Sequence, residues 1–153
     1  MAATQSLHPL QSLANTITLL LRGRVHFPRE RLGQTLVLEG EKWIIFRQVV
    51  IDPGPGQPAQ PGAVFRPRFH VRGMSARANM LFSWLPVPFI TGLPGLRSKL
   101  WLYDPASGDF SGWYEWDSVE DAERYSRSFA AAFMTRRSLP GSVSFRVLPA
   151  GRE

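Results

Sequence analysis

Residues 96–125 read LRSKLWLYDPASGDFSGWYEWDSVEDAERY, and this stretch decides the fold. Leu96 to Tyr103 and Phe110 to Trp116 are rich in aromatic and apolar side chains, which suit a pleated, half-buried surface. Between them, Asp104-Pro105-Ala106-Ser107-Gly108-Asp109 has turn chemistry, with a proline to fix one backbone angle and a glycine free to adopt positive φ. The two runs therefore read as an antiparallel hairpin. Ser118-Val119-Glu120-Asp121 follows and approximates a capping box, with the shorter Asp where Glu is usual. Val119, Ala122, Tyr125, Phe129 and Phe133 then fall on one stripe, so the spacing predicts a single helix. Acidic residues crowd its first turn, and Arg136 and Arg137 its last, which complements the helix dipole.

Downstream, Pro140-Gly141 stops the helix and Ser142 to Leu148 reads as a last strand. Upstream, residues 63–72 read as a strand with Phe65, Phe69 and Val71 on one side and Arg66, Arg68, His70 and Arg72 on the other. Pro67 lacks a ladder donor, which predicts an edge or bulged position. Ser75 caps a helix predicted to run to about Trp84 and to end at Pro86 and Pro88. The order is β-α-β-β-α-β, the ferredoxin-like pattern of an α+β fold. Helices on one face of such a sheet leave the other face in need of cover, and a homodimer supplies it.

Residues 10–21 read as an amphipathic helix, with Leu10, Leu13, Ala14, Ile17, Leu20 and Leu21 at helical spacing. Residues 34–51 read as a β-hairpin turning at Glu39-Gly40-Glu41. Residues 53–62 hold four prolines and three glycines and exclude helix and central strand. Three parts result: a helix-and-hairpin extension over 1–52, a linker over 53–62, and a main domain over 63–150.

The chain has 153 residues and no cysteine, which excludes disulfides, thiolate metal sites and cysteine nucleophiles. With only three histidines, widely spaced, no transition-metal site is expected. No Gly-rich phosphate loop, nucleophile elbow or zinc-protease motif is present, so neither a nucleotide nor any other cofactor is implied. The formal charge is +6, but the arginines are scattered apart from Arg22, Arg24, Arg29 and Arg31. Surface charge accounts for them, and no nucleic-acid partner is expected. No stretch reaches the roughly 20 apolar residues of a membrane span, and no basic region precedes the first apolar stretch, so a cytoplasmic location is expected.

The runs Leu93–Trp101, Asp109–Trp116 and Val119–Tyr125 together resemble the YdhR-like monooxygenase group of the dimeric α+β-barrel superfamily. That group pairs a Pro-Gly-Phe/Leu…Lys-x-Trp strand with a Gly-Gly-x-Tyr-x-Phe/Trp strand and an acidic-capped helix. The resemblance covers about residues 63–150. It implies a dimeric α+β barrel and, for activity, a cofactor-independent monooxygenase or a related proton-transfer enzyme. The superfamily's haem-degrading branch uses an Asn/Trp/His set that does not map in order onto Asn79 and His70.

The side chains able to carry chemistry lie on the hairpin and around it. His70 is the only histidine of the main domain and a candidate base; the rival role is a hydrogen-bonded structural histidine. Lys99 and Glu115 are placed on one sheet face as a cross-strand ion pair, with Glu115 a second candidate base. Trp101 and Trp113 share their parity, whereas Tyr114 and Trp116 go with Leu100 and Leu102. These aromatics form either the wall of a flat pocket for an aromatic or polycyclic substrate, with Tyr114 orienting an oxygen, or sheet core and dimer interface. Trp84 and Phe89 lie in an apolar, Pro-rich segment over 82–90, read as a pocket rim or a buried connection. Two other readings stay open: a non-catalytic small-molecule-binding module, and a peripheral membrane or scaffolding protein anchored by residues 10–24. Against the anchor stands a helix packed on its own domain, favoured because the polar face of 10–21 carries no cation.

Overall fold

A computed structural model describes residues 8–150 of the chain. Its strands are β1 (Val25–His26), β2 (Thr35–Leu38), β3 (Glu41–Ile51), β4 (Ala63–Phe69), β5 (Leu96–Tyr103), β6 (Phe110–Trp116) and β7 (Ser144–Pro149). Its helices are α1 (Pro9–Leu21), α2 (Ala76–Phe82), α3 (Val87–Thr91), α4 (Val119–Ser126) and α5 (Phe129–Arg136). All pairings are antiparallel and join one sheet in the order β1-β3-β5-β6-β4-β7, with β2 against the start of β3. The four strands β5-β6-β4-β7 have the ferredoxin-like order, so the α+β expectation holds. Strands on both sides of residues 53–62 belong to this sheet, because β3 pairs with β5 from Ile44↔Tyr103 to Val50↔Ser98.

Register fixes what each face presents. Val49, Lys99, Tyr114, Phe65 and Val147 are successive cross-strand partners and form one row. This row lies on the face covered by the helices. Its core continues through Trp116, Leu96 and Tyr125 with Val87 and Ile90 of α3 and Ala130 and Ala131 of α5. The opposite face carries Leu100 and Leu102, packed with Trp43 and Ile45 of β3 and with Leu36 and Leu38 of β2. A bulge between Ile45 and Arg47 turns Arg47 onto the helical face. Its guanidinium there donates to the Met80 carbonyl at 2.9 Å and to the Ser83 hydroxyl.

Four expectations are corrected. Pro67 sits on an interior strand, between β6 and β7. The β4–β6 register is the same on both sides of it, and the ladder omits only Arg66 and Pro67. The freed carbonyl of Pro67 accepts from the Ser111 hydroxyl at 2.6 Å. The single helix expected from Ser118 is two. Ser126, Arg127 and Ser128 break it, because Ser126 bonds back to the Glu123 carbonyl and an extended Ser128 caps a new helix through the Ala131 N–H. Serine competes with the helix backbone in this way at such positions. The apolar segment over 82–90 is not a loop: Pro86 and Pro88 open α3, where a missing N–H costs nothing. Helix α1 forms where expected, but docks largely through polar groups, as described below.

Candidate functional site

Between the helical face of the sheet and α2, α3 and α5 lies a cavity of about 60 Å³. A water needs roughly 10–15 Å³ on the same measure, so the space suits a few waters or a small ligand. Apolar walls come from Phe46, Phe110, Ile90 and Phe133, and the polar groups in its lining include Lys99, Tyr114, Tyr125, Asn79 and Arg137. No carboxylate lines it.

Lys99 reaches this cavity because β5 and β6 pair odd with even. Tyr103 faces Phe110 across the turn, so Lys99 faces Tyr114 and Trp101 faces Gly112. The Lys99 ammonium nitrogen lies 4.2 Å from the ring centroids of both Trp101 and Tyr114. It is 5% exposed. Burial, with a smaller push from the Arg47 cation, holds its pKa well below the usual lysine value. Desolvation penalises the charged form, so the amine is biased toward neutrality. Gly112 is required here: any Cβ would strike the Tyr114 ring, which lies across it.

The Tyr125 hydroxyl from α4 approaches the Tyr114 hydroxyl at 3.5 Å, with ring centroids 5.1 Å apart. Burial raises both phenols, Tyr125 to about 12 and Tyr114 well above its ordinary value, where charge repulsion from Tyr125 and their hydrogen bond add to desolvation. Both stay protonated donors at neutral pH. At the far wall, Arg137 donates to the side-chain Oδ1 of the buried Asn79 at 3.0 Å and stacks on Phe82 with its guanidinium carbon 4.0 Å from the ring centroid. Burial lowers the Arg137 pKa.

The structure brings together Lys99, Trp101 and Tyr114 and separates the other candidates from them. Glu115 is on the opposite sheet face, where it accepts from the Ser98 hydroxyl at 2.7 Å. The expected Lys99–Glu115 pair is therefore not formed, because the odd-with-even register puts the two on different faces. Tyr114 and Trp116 share a face with Lys99 and Trp101, and Trp113 goes with Leu100 and Glu115, the reverse of the expected grouping. His70 lies beyond the end of β4, outside the cavity lining, with Nδ1 2.9 Å from Asp109, which also receives Arg68 at 2.8 Å. Trp116 is core, its ring tilted against Tyr125 with centroids 5.2 Å apart. Trp84 caps the Arg47 guanidinium at 3.9 Å, and the Phe89 carbonyl accepts from Ser12 of α1; neither lines the cavity. Tyr125, Arg137 and Asn79 complete the site without having been singled out for it. The sequence places Tyr125 in a helix stripe and Arg137 at a helix C-terminus, and neither signal alone points to a cavity.

No protein-family model matches the chain, and no curated protein matches it. Solved structures do resemble it. An uncharacterized ferredoxin-fold protein related to antibiotic biosynthesis monooxygenases, from Listeria monocytogenes, has TM-score 0.54 and 12% identity over 85% of this chain and 94% of that one. A monooxygenase-like protein from Listeria innocua has TM-score 0.54 and 13% identity over 75% of this chain and 68% of that one. A heme-degrading enzyme from Listeria monocytogenes has TM-score 0.53 and 13% identity over 82% of this chain and 97% of that one. The likeness is one of fold. Its 85% share of the chain is more than residues 63–150 alone could supply, so it takes in part of the first 62 residues.

Proposed function

We propose that the chain is a cytoplasmic, cofactor-independent monooxygenase of the YdhR-like kind, working as a homodimer on a small aromatic or enolisable molecule, with Lys99 as the base. One observation carries this: a buried, neutral-biased amine lines an apolar cavity that holds two protonated phenols and no carboxylate. Such a site favours a substrate that arrives neutral and becomes an anion. The Lys99 amine takes a proton from an activated C–H or O–H. The resulting ammonium stays beside the substrate anion in a poorly solvated space, where the attraction is strong. Tyr114 and Tyr125 donate hydrogen bonds to the developing oxyanion. Trp101 and Phe110 flank a flat ring.

The substrate anion then reduces dioxygen itself. A CH₂ beside an activating group becomes C=O, one oxygen atom stays on carbon, and the other leaves as water, so no external reductant is consumed. The cavity volume points to a single ring rather than a polycycle. Haem does not fit it: the lining holds no histidine to ligate iron, and the space is far smaller than a tetrapyrrole.

Oxygen uptake with a panel of monocyclic phenols and cyclic diketones tests the reading. Wild type is expected to consume oxygen with at least one of them, with kcat/KM rising as Lys99 loses its proton. Lys99→Met is expected to lose at least about 100-fold, the low end of a general-base contribution, and Tyr114→Phe less. His70→Gln and Glu115→Gln are expected to keep the wild-type rate. Unchanged turnover in Lys99→Met removes the mechanism.

A further inference from the structure

Helix α1 docks largely through polar groups, with Leu19 its apolar contact with the core. Its inward side chains include Ser12 and Thr16, both buried. The Ser12 hydroxyl donates to the Phe89 carbonyl, Thr16 to the Pro88 carbonyl, and Asn15 to the Gly92 carbonyl at 3.2 Å. Gly92 allows this approach, since a Cβ there would collide with the Ser12 carbonyl oxygen. The apolar stripe faces out: Leu10 is 67% exposed, Ile17 50%, Leu20 52% and Leu21 83%. An exposed apolar run of this kind on a polar-docked helix marks a contact surface.

Its surroundings are cationic. Arg22 follows the helix directly and is exposed, as is Arg29, two residues beyond Phe27; Arg31 belongs to the other face of the sheet. Glu30 is the only acid in the first 38 residues. Asp52, which reaches this region from the end of β3, is taken by His26 at 2.7 Å. Phe27 adds a partly exposed ring, 6.0 Å from Trp84 on the α2–α3 connection, where Trp84 is itself half exposed. Aromatic rings of this sort settle at membrane–water interfaces.

We infer that the outward face of α1 lies in the surface of an anionic lipid bilayer, with Leu10, Ile17 and Leu21 in the headgroup–acyl boundary and Arg22 and Arg29 against the lipid phosphates. With 13 residues, α1 is a rod of about 20 Å, long enough to lie along the surface. No helix among the described residues is long and apolar enough to cross a membrane. A second copy of the chain fits this face less well. A two-fold pairing through α1 would oppose the same arginines, whereas anionic lipid neutralises them.

The surface is independent of Lys99 and is tested without substrate. The full chain is sedimented with phosphatidylcholine vesicles and with phosphatidylcholine/phosphatidylserine vesicles, at low and high salt, and its mass is measured without vesicles. Binding is expected to anionic vesicles only, and to be released by salt. Ile17→Gln with Leu21→Gln, and separately Arg22→Glu, are each expected to cut the bound fraction roughly tenfold while leaving circular dichroism unchanged. Wild type remaining in the supernatant with anionic vesicles at low salt overturns the inference. So does binding that neither variant weakens, or a multimer without vesicles that the double variant reduces to single chains.

Discussion

Lys99 is costly to the fold as well as central to the site. Its pKa is lowered on folding by burial first and by Arg47 second. In the unfolded chain it binds a proton up to about 10.4, so between its folded pKa and that value the unfolded state holds more protons. Stability therefore rises as pH climbs from the folded pKa of Lys99 toward the unfolded one, then falls as Tyr125, held at about 12, resists the ionisation that the unfolded chain undergoes near 10. Lys99→Met is expected to raise stability by about 1–3 kcal/mol at neutral pH, the size of a relieved buried polar group, and to flatten the alkaline rise. Urea denaturation between pH 7 and 10 measures both, and an unchanged slope would show that the amine is charged and well accommodated. At this scale the sequence was legible in kind. Lys99, Trp101 and Tyr114 were identifiable as chemistry-bearing residues. Parity by residue number does not give their grouping, because the six residues of the turn from Asp104 to Asp109 make odd positions on one strand face even ones on the other. That turn length was readable from the start. The position of His70 was not, because Asp109, its partner, lies 39 residues away.

Elements were easier to find than to orient. The bounds of β5 and β6 match the sequence reading because local propensity, turn chemistry and burial agree there. The break between α4 and α5 was missed because the stripe from Val119 to Phe133 continues across it and three polar residues interrupt it only locally. Helix α1 shows the stronger limit. Hydrophobic periodicity locates a helix, and the usual inference is that the apolar stripe faces inward. Here Ser12, Asn15 and Thr16 supply hydrogen bonds to carbonyls that α3 leaves free, and Gly92 lets the two backbones close in. The polar face wins because three partnered groups and a close backbone contact replace the side-chain burial a leucine stripe would give. Gly92→Ala is expected to lose about 2–3 kcal/mol, as overpacking against a rigid backbone does, and to release α1 before the rest unfolds. Hydrogen exchange checks this: α1 amides should lose protection while β5 and β6 keep theirs. Equal loss in both would mean that α1 is no separate unit.

Across the whole molecule, the face of the sheet away from the helices is partly closed by the chain's own β2–β3 hairpin. Its tip reaches β4 and β7, where Glu39 meets Arg66 and Arg146, and Glu41 meets Arg68. These pairs are largely exposed and worth little each; the closure rests on Trp43 and Ile45, both buried against Leu100 and Leu102. The covering is incomplete. A groove of about 420 Å³ remains between Leu36, Val37, Leu100, Trp113 and Leu148, and Val37 at its rim is 58% exposed. The proposed homodimer would use this groove, since its apolar floor is covered by no element among the described residues, and Arg31, Arg66, Glu39 and Glu115 line it with charge of both signs. Two copies would then bury Val37 and Trp113 in one seam, with the Glu39–Arg146 pairs at its rim. Native mass spectrometry is expected to give twice the 17.2 kDa chain mass. Val37→Asp, which places a charge in that seam while leaving the cavity residues untouched, is expected to return single chains that still titrate Lys99 as before. Single chains of wild type at micromolar concentration would remove the dimer. They would also leave the hairpin as the molecule's own answer to a half-covered sheet.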